Sequence, residues 1–231
     1  RMVLPIWLFW TLVLKNHQLL MNGGIITYPK ASIIYYQVDV SSQEEMENCY
    51  KEFKENIKSL DIVVNCAGIL KENDFKKTID INLCGVMGST LLAMDYMRKD
   101  KGQGKGGIIL NVSSVTGLAP LSPAPSYSAS KHGIVAFTRA LSHDREFLGI
   151  KFFVLCPSGT KSSLYDAIEN GTGLFMATPE KLDQIKARFT PQSAAVVGKG
   201  TIKIIIEGKS GSVWTVRRGT VTEVPLPAIE F

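Results

Sequence analysis

Apolar and polar positions alternate along the chain with two different periodicities. Short, mostly apolar runs of strand length lie at residues 25–28, 33–40, 61–65, 108–112, 150–155 and 212–217. Apolar residues spaced three or four apart predict helices at residues 41–60, 74–98, 127–141, 163–169, 179–189 and 191–207. Several of these strands are apolar throughout and alternate with helices, which favours a parallel sheet covered on both faces. The predicted fold is therefore α/β, with a doubly wound parallel sheet.

Polar and small residues follow several of the predicted strands directly. Asp39, residues 65–68, Ser114 and residues 157–160 all come where a strand ends. Parallel sheets of this kind bind ligands in the crevice at the carboxyl ends of their strands. We therefore expect these positions to converge on one cleft.

The segment 110–141 carries the clearest candidate chemistry, in a strand, a loop and a helix. Tyr127 and Lys131 are four residues apart, so on a helix the ammonium can approach the phenol. A phenol titrates near ~10, and a neighbouring cation favours its phenolate form. Tyr127 could then exchange a proton with an alcohol or a carbonyl oxygen, to which Ser114 could donate a hydrogen bond. A Tyr and a Lys one turn apart also occur on solvated helix faces, and it is Ser114 that favours the chemical interpretation.

The order Ser114, Tyr127, Lys131, with Asn-x-Ser-Ser-x-x-Gly at residues 111–117, resembles the short-chain dehydrogenase/reductase family. The resemblance extends over residues 39–217 and implies a Rossmann-like fold. It assigns Tyr127 as the catalytic acid and base and Ser114 as the donor to the substrate oxygen. It assigns Lys131 as the residue that lowers the pKa of the phenol and binds the nicotinamide ribose.

Further motifs of the family have counterparts along the chain. Asn65-Cys66-Ala67-Gly68 is similar to its Asn-Asn-Ala-Gly turn, Asn82 to the Asn that distorts its catalytic-side helix, and residues 157–162 to its Pro-Gly-x-x-x-Thr loop. Taken alone, each of these motifs is equally typical of an ordinary turn, helix or loop. The resemblance implies a catalytic role for Asn82 and cofactor contacts from Asp39, Val40, Asn65, Ala67, Gly68, Pro157 and Thr160.

Residues 1–38 depart from the family pattern. Its members open with a strand, a turn of the type Thr-Gly-x-x-x-Gly-x-Gly and a helix, which together bind the cofactor pyrophosphate. Asn22-Gly23-Gly24 is a glycine pair without that pattern, so the first βαβ unit is expected to be atypical or truncated. Each missing phosphate contact would cost roughly 1.5 to 3 kcal/mol of binding free energy. A catalytically silent or incomplete member of the family is therefore the alternative to an active enzyme.

Residues 2–14 form a nearly unbroken apolar run. The run has the length of a signal-peptide core and is shorter than the ~20 residues that span a bilayer. No small-x-small cleavage site follows it. A buried strand, a buried helix, a signal and a membrane anchor all remain open interpretations.

Within the family, residues 106–138 and 210–227 look most like insect alcohol dehydrogenases and hydroxyprostaglandin-dehydrogenase-like proteins. This likeness implies NAD as the cofactor, with NADP left open, and a small apolar secondary alcohol or ketone as the substrate. Residues 158–190, named here the cover segment, are expected to lie over the substrate. The resemblance also implies a homodimer or tetramer that assembles through the helices at residues 74–98 and 127–141.

Composition adds three expectations. A chain of 231 residues that is 45% hydrophobic can bury the core of a single domain over residues 1–231. The net charge of +5 comes from Lys and Arg residues that are scattered among acids, which argues against nucleic-acid binding. The four cysteines have neither CxxC spacing nor a paired framework, so we expect buried, reduced thiols, no metal site and a cytoplasmic protein.

Overall fold

A five-stranded sheet lies at the centre of the computed structural model, which describes residues 36–56, 59–102 and 104–227. The strands are β1 Ile62–Asn65, β2 Gly107–Val112, β3 Ile150–Pro157, β4 Val213–Arg217 and β5 Thr220–Val224. They lie side by side in chain order, with β1 to β4 parallel and β5 antiparallel to β4. The predicted parallel α/β sheet is confirmed.

Helices connect the strands and cover the sheet. They are α1 Gln43–Asn56, α2 Phe75–Ile79, α3 Gly85–Met97, α4 Pro125–Leu141, α5 Arg145–Leu148, α6 Ser163–Glu169, α7 Pro179–Arg188 and α8 Ala194–Glu207. The described residues also include short 3₁₀ turns at Glu72–Asp74, Val115–Gly117 and Ser142–Asp144. A π turn at Asp80–Cys84 lies between α2 and α3. The predicted helices are found with small shifts: α4 begins two residues earlier than expected, and α8 begins three residues later, at Ala194 rather than Pro191.

Side chains of β3 alternate between two apolar layers, one on each face of the sheet. Phe152 packs with α1 and α3 residues such as Tyr50 and Met97. Its neighbour Phe153 packs on the other face with Ile204 of α8. Both phenylalanines are fully buried, which explains why this strand reads as an uninterrupted apolar run.

The sheet ends in a hairpin that the apolar pattern did not predict. β4 was expected to be the last strand, but β5 pairs with it in register from Val213 opposite Val224 to Arg217 opposite Thr220. The connecting residues Arg218 and Gly219 have φ values of 50° and 83°. Two central residues with positive φ form the turn that matches the twist of a two-residue hairpin, so the chain reverses here into an antiparallel edge strand.

The predicted first unit lies mostly outside the described residues. The interpretations of residues 2–14, the strand at 25–28 and most of the strand at 33–40 cannot be compared with the structure for that reason. The described end of the latter, residues 36–40, has no strand pairing within the described ranges. Val38 and Val40 are nevertheless buried against Met46 and Ile81, so this stretch packs beside the sheet.

Helices α3 and α4 were expected to carry an assembly surface. On α4, Ile134 and Val135 lie in the core of the chain, exposed by 0% and 8%, while Phe137 is partly exposed. Leu91 of α3 is half exposed. Within the described residues, no helix is both long and apolar enough to cross a membrane.

The four cysteines are free thiols, as expected, but they are not all buried. Cys156 is buried and Cys49 is partly exposed, whereas Cys66 and Cys84 are exposed. Both exposed residues follow an apolar stretch at a point where it turns toward solvent: Cys66 comes directly after β1, and Cys84 ends the π turn.

Candidate active site

Ser114, Tyr127 and Lys131 lie together at the carboxyl end of β2. The strand ends at Val112, and the Lys131 ammonium on α4 donates a hydrogen bond of 3.1 Å to the Val112 carbonyl oxygen. The Ser113 hydroxyl donates to the Lys131 carbonyl oxygen at 2.8 Å, which adds a second bond between the strand end and the helix. The ammonium of Lys131 is 5.6 Å from the centre of the Tyr127 ring.

Burial shifts the pKa values of both Tyr127 and Lys131. Tyr127 is 7% exposed, and burial raises the pKa of its phenol to about 12, although the nearby Ser114 hydroxyl opposes the shift. Burial lowers the pKa of Lys131 to about 8, with the Cys66 and Cys156 thiols opposing. The expected lowering of the Tyr127 pKa by Lys131 is therefore not present here, because the loss of water around the phenol outweighs any effect of the cation.

Asn82 lies in the π turn Asp80–Cys84, and its side chain hydrogen-bonds to Ile69 in the turn that follows β1. Its side-chain oxygen accepts from the Ile69 N–H at 2.7 Å, and its amide donates to the Ile69 carbonyl oxygen at 2.9 Å and to the Ser130 hydroxyl at 3.2 Å. The helix distortion expected at this residue is present as that π turn. Asn82 therefore connects the Gly68 turn to α4, which carries Tyr127 and Lys131.

Gly68 faces the same group. A Cβ on Gly68 would lie 3.4 Å from both the Asn82 side-chain oxygen and the Lys131 ammonium. The glycine thus keeps open a space that is bordered by a buried cation and an amide.

Asn65, expected to contact the cofactor, has its side chain inside the protein. It donates to Asn111 at 2.8 Å and to Thr90 at 3.1 Å, and it accepts from the Ser89 hydroxyl at 2.6 Å. Asn111 in turn donates to Thr138 at 2.9 Å. This buried network joins β1, β2, α3 and α4, so the Asn65 side chain positions the elements of the site and does not face the cleft.

Val40 and Ala67 lie around a small cavity at the end of β1, and Asp39 precedes Val40 on the surface. Val40 and Ala67 line the cavity, together with Val64, Asn65, Cys66, Gly85 and Val86. The exposed Asp39 carboxylate accepts from the Ser41 N–H and hydroxyl, and its own N–H donates to the Glu45 carboxylate. Glu45 is therefore directed at Asp39, while Ser42 alone caps α1 through the Glu45 N–H at 3.3 Å.

Pro157 and Thr160 mark the end of β3. Pro157 is the last residue of the strand and pairs with Val216. Thr160 forms an isolated bridge with Gln192, and its hydroxyl donates to the Ser158 carbonyl oxygen at 2.9 Å. Both residues thus belong to an ordered loop at the same edge of the sheet as Ser114.

The cover segment packs over Tyr127. Buried side chains from the cover segment, from the chain between β2 and α4 and from the turn after β1 form one apolar cluster with the phenol ring: Leu70, Val115, Leu121, Ala124, Tyr165, Ile185 and Phe189. Three further apolar residues of the cover segment, Leu164, Ile168 and Leu174, pack against this cluster. Phe175 and Met176 do not, since they are 53% and 70% exposed.

Glu72 is the residue of this site that the sequence analysis missed. Its carboxylate accepts from the backbone N–H groups of Ser126 at 2.9 Å and Tyr127 at 2.8 Å. The one sequence signal for it is indirect: the helix begins at Ala124-Pro125, which offers no capping side chain, so a partner must come from elsewhere.

The described part of the cleft offers donors for the nicotinamide ribose of a dinucleotide. Within the described ranges, the Lys131 ammonium makes one hydrogen bond, to Val112, so two of its three donors remain for ribose hydroxyls. The space beside Gly68 borders that ammonium, whereas the apolar cavity at Val40 and Ala67 has a volume of about 10 Å³, which is room for one water molecule and would have to widen to take a ring. Lys131 and Gly68 are the residues whose surroundings fit such a cofactor; the resemblance adds Val40, Ala67 and Thr160.

Comparison of the sequence with known proteins agrees with this geometry. The profile of the short chain dehydrogenase family matches residues 22–172. The 15-hydroxyprostaglandin dehydrogenase (NAD(+)) of Rattus norvegicus is 38% identical over 156 residues, which are 67% of this chain and 58% of the rat protein. Alcohol dehydrogenase 2 of Ceratitis cosyra is 29% identical over 198 residues, 85% of this chain and 76% of the fly protein. The chain thus spans less than two thirds of the length of the rat relative.

Solved structures share the fold. Levodione reductase superposes with a TM-score of 0.69 at 19% identity, over 83% of this chain and 78% of that chain. ElxO with NADP bound superposes with a TM-score of 0.64 at 25% identity, over 79% of this chain and 75% of that chain. Because the family profile covers more than half of the sequence and the fold is shared, this chain belongs to the short chain dehydrogenase family.

Proposed function

We propose that the chain is an NAD-dependent dehydrogenase of small apolar secondary alcohols and ketones, with Tyr127 as its acid and base. The observation that carries this proposal is the convergence of Ser114, Tyr127 and Lys131 at the end of β2, next to the space at Gly68. The preference for NAD is supported by relatives that are named as NAD(+) enzymes. NADP remains a candidate, because a structural neighbour has it bound.

Each residue of the site has one task in the proposed reaction. In ketone reduction the Tyr127 phenol, the form that burial favours, gives its proton to the substrate oxygen, and in alcohol oxidation the phenolate form of Tyr127 accepts the hydroxyl proton. The Ser114 hydroxyl donates a hydrogen bond to the substrate oxygen in both directions. Lys131 binds the ribose and places its positive charge near Tyr127. When bound, the nicotinamide ring would accept the hydride from the carbinol carbon or return it to the carbonyl carbon.

The apolar surroundings of Tyr127 support an apolar substrate. Leu70, Val115 and Leu121 belong to one apolar cluster with the phenol ring, and Tyr165 and Phe189 of the cover segment belong to the same cluster. A substrate that reaches Tyr127 must replace contacts within this cluster, and an apolar molecule does so without leaving polar groups unpaired. The proposal also includes a cytoplasmic homodimer or tetramer, for which the half-exposed Leu91 on α3 offers an apolar contact.

A titration of the purified protein with NAD and NADH tests the proposal. Nicotinamide fluorescence and the change in melting temperature are followed over micromolar to millimolar cofactor. Saturation in the micromolar range with a rising melting temperature is expected, since a ligand at about 100 times its Kd adds about 2.7 kcal/mol to the free energy of unfolding. A lack of binding at millimolar cofactor would overturn the proposal that the chain is an NAD-dependent enzyme. The result would then favour the catalytically silent alternative, to which the lack of a Gly-rich turn in residues 1–38 points.

A further inference from the structure

Helix α4 begins without a capping side chain of its own. Ala124 occupies the N-cap position and has no acceptor in its side chain, and Pro125 has no N–H. The first backbone bond runs from the Ser128 N–H to the Ala124 carbonyl oxygen. The N–H groups of Ser126 and Tyr127 are therefore the donors of the first turn that need a partner from another part of the chain.

Glu72 supplies that partner. It lies in the 3₁₀ turn Glu72–Asp74, 54 and 55 residues before the two donors, and each of its carboxylate oxygens accepts one N–H. Hydrogen bonds to a charged acceptor are stronger than neutral ones, and a negative charge at a helix N-terminus is favoured by the helix dipole. Two bonds from one carboxylate also restrict the orientation of the turn and not only its distance.

The backbone just before Glu72 is held by two side chains that follow it in the sequence. Asn82 bonds to both backbone groups of Ile69, as described above, and the Thr78 hydroxyl donates to the Lys71 carbonyl oxygen at 2.9 Å. Glu72 thus presents its carboxylate from a backbone with few ways to move. Displacement of the α4 turn away from Glu72 would break both bonds at once.

The backbone of Glu72 also contacts the cover segment. Its N–H donates to the Gly173 carbonyl oxygen at 2.7 Å, and the Phe175 N–H donates to the Pro123 carbonyl oxygen at 2.7 Å. Pro123 lies just before α4, so the cover segment is bonded on one side to Glu72 and on the other to the start of the catalytic helix. The three parts that surround the phenol of Tyr127 are therefore connected through Glu72.

We propose that Glu72 is a positioning residue for Tyr127: its carboxylate holds the first turn of α4, and its N–H joins that turn to the cover segment. One of the two bonds ends on the N–H of Tyr127 itself, so any shift of the turn moves the phenol relative to Ser114. Glu72 acts on the reaction through Tyr127 and not by contact with the substrate. The inference rests on the proposed function for its catalytic consequence.

The test compares Glu72→Ala and Glu72→Gln with Asp74→Ala as a matched control. Asp74 caps α2 by accepting from the Lys77 N–H at 3.1 Å, so its loss removes a neighbouring cap that does not touch α4. Hydrogen exchange of the Ser126 and Tyr127 amides should accelerate by about tenfold in Glu72→Ala and stay unchanged in Asp74→Ala. Glu72→Gln, which keeps one acceptor oxygen, should fall between Glu72→Ala and the natural chain.

Kinetics add the catalytic readout. In Glu72→Ala, kcat for alcohol oxidation should fall by about tenfold or more while KM for NAD changes by less than about twofold, because the ribose-binding Lys131 lies one turn further along the helix. Unchanged amide exchange, or an unchanged kcat in a folded Glu72→Gln and Glu72→Ala, would overturn the proposal. Inactivity of the natural chain would overturn the proposed function instead, and amide exchange would still decide whether Glu72 holds the turn.

Discussion

The ammonium of Lys131 lies 5.6 Å from the centre of the Tyr127 ring, and its hydrogen bond goes to the carbonyl oxygen of Val112. Both side chains are buried, and burial disfavours the charged form of each. The pKa of the phenol rises to about 12 and that of the ammonium falls to about 8. The buried ammonium of Lys131 therefore lowers the stability of the folded chain.

Replacement of Lys131 by Met should stabilise the protein at neutral pH. The pKa of Lys131 falls from 10.5 to about 8 on folding, so between these pH values the unfolded chain binds more protons and stability rises with pH. Below pH 8 both states are protonated and the full cost of the buried ammonium is present. Lys131→Met has no ammonium to bury. Its free energy of unfolding in urea should therefore exceed that of the natural chain by about 1 to 3 kcal/mol at pH 7, and by less at pH 10.

Lys101→Met is the control for this experiment, because Lys101 is exposed and pairs with Asp95 on the surface at 2.8 Å. Its loss should change stability by less than about 0.5 kcal/mol at either pH. A Lys131→Met protein that is less stable than the natural chain at pH 7 would contradict the inferred cost.

Tyr127→Phe should remove turnover without removing the cofactor. The phenylalanine ring keeps the apolar contacts with Leu121 and Tyr165, so the fold should be retained, but no group remains to exchange the substrate proton. The rate of alcohol oxidation should fall by about 10²- to 10⁴-fold, which is the usual contribution of general acid and base catalysis. Steady-state rates and a fluorescence titration with NADH measure the two properties separately.

Tyr96→Phe provides the comparison for that variant. Tyr96 lies on α3, where its ring stacks on Tyr50 with 5.9 Å between centroids, away from Ser114. The rate and the affinity for NADH should both stay within about twofold of the natural values. Retained turnover in Tyr127→Phe would show that another residue acts as the acid and base.

Patterns along the sequence predict the sheet and the catalytic group because both depend on local signals. Phe152 and Phe153 belong to a run that is apolar because both faces of the strand are buried, and Tyr127 and Lys131 share a helix at a spacing that places them together. Each of these features can be derived from neighbouring residues. The same reasoning reaches Ser114, which lies two residues after the end of β2.

Features that depend on distant backbone could not be predicted in this way. Glu72 bonds to amides 54 and 55 residues away, and backbone donors leave no trace in the identity of the residues that carry them. The raised pKa of Tyr127 follows from burial of the phenol among residues that are distant in the sequence. The final hairpin turns at Arg218, a residue type that rarely adopts positive φ and so gives no turn signal.

Asn65→Ala should lower stability and leave cofactor affinity nearly unchanged. The alanine would leave Ser89, Thr90 and Asn111 without their shared partner in a buried region. We expect a loss of about 2 to 4 kcal/mol in the free energy of unfolding, measured in urea, because several buried polar groups lose bonds together. The exposed Asn73→Ala should cost less than about 0.5 kcal/mol. Unchanged stability with a large loss of NAD affinity would place the Asn65 side chain in the cleft instead.

Gly68→Ala tests whether the space beside Lys131 belongs to the cofactor. The new Cβ would lie 3.4 Å from the Lys131 ammonium and from the Asn82 oxygen, a distance at which the folded chain needs little adjustment. Stability should therefore change by less than about 1 kcal/mol. Cofactor affinity should fall by about tenfold or more if a ribose occupies that space, since each 1.4 kcal/mol of lost contact is about one factor of ten.

Alanine substitutions at two further glycines serve as controls. They show whether an effect of Gly68→Ala comes from filling the space beside Lys131 or from adding a methyl group in general. Gly88→Ala on α3 meets the flexible end of Gln43 at 3.2 Å and should leave affinity unchanged while gaining up to about 1 kcal/mol of helix stability. Gly117→Ala would place its Cβ 2.4 Å from the Ser113 hydroxyl and 2.7 Å from the Lys131 carbonyl oxygen, so it should destabilise the chain by about 1 to 3 kcal/mol. Equal NAD affinity in Gly68→Ala and Gly88→Ala, both folded, would show that the cofactor does not approach Gly68, because only the former fills the space between Asn82 and Lys131.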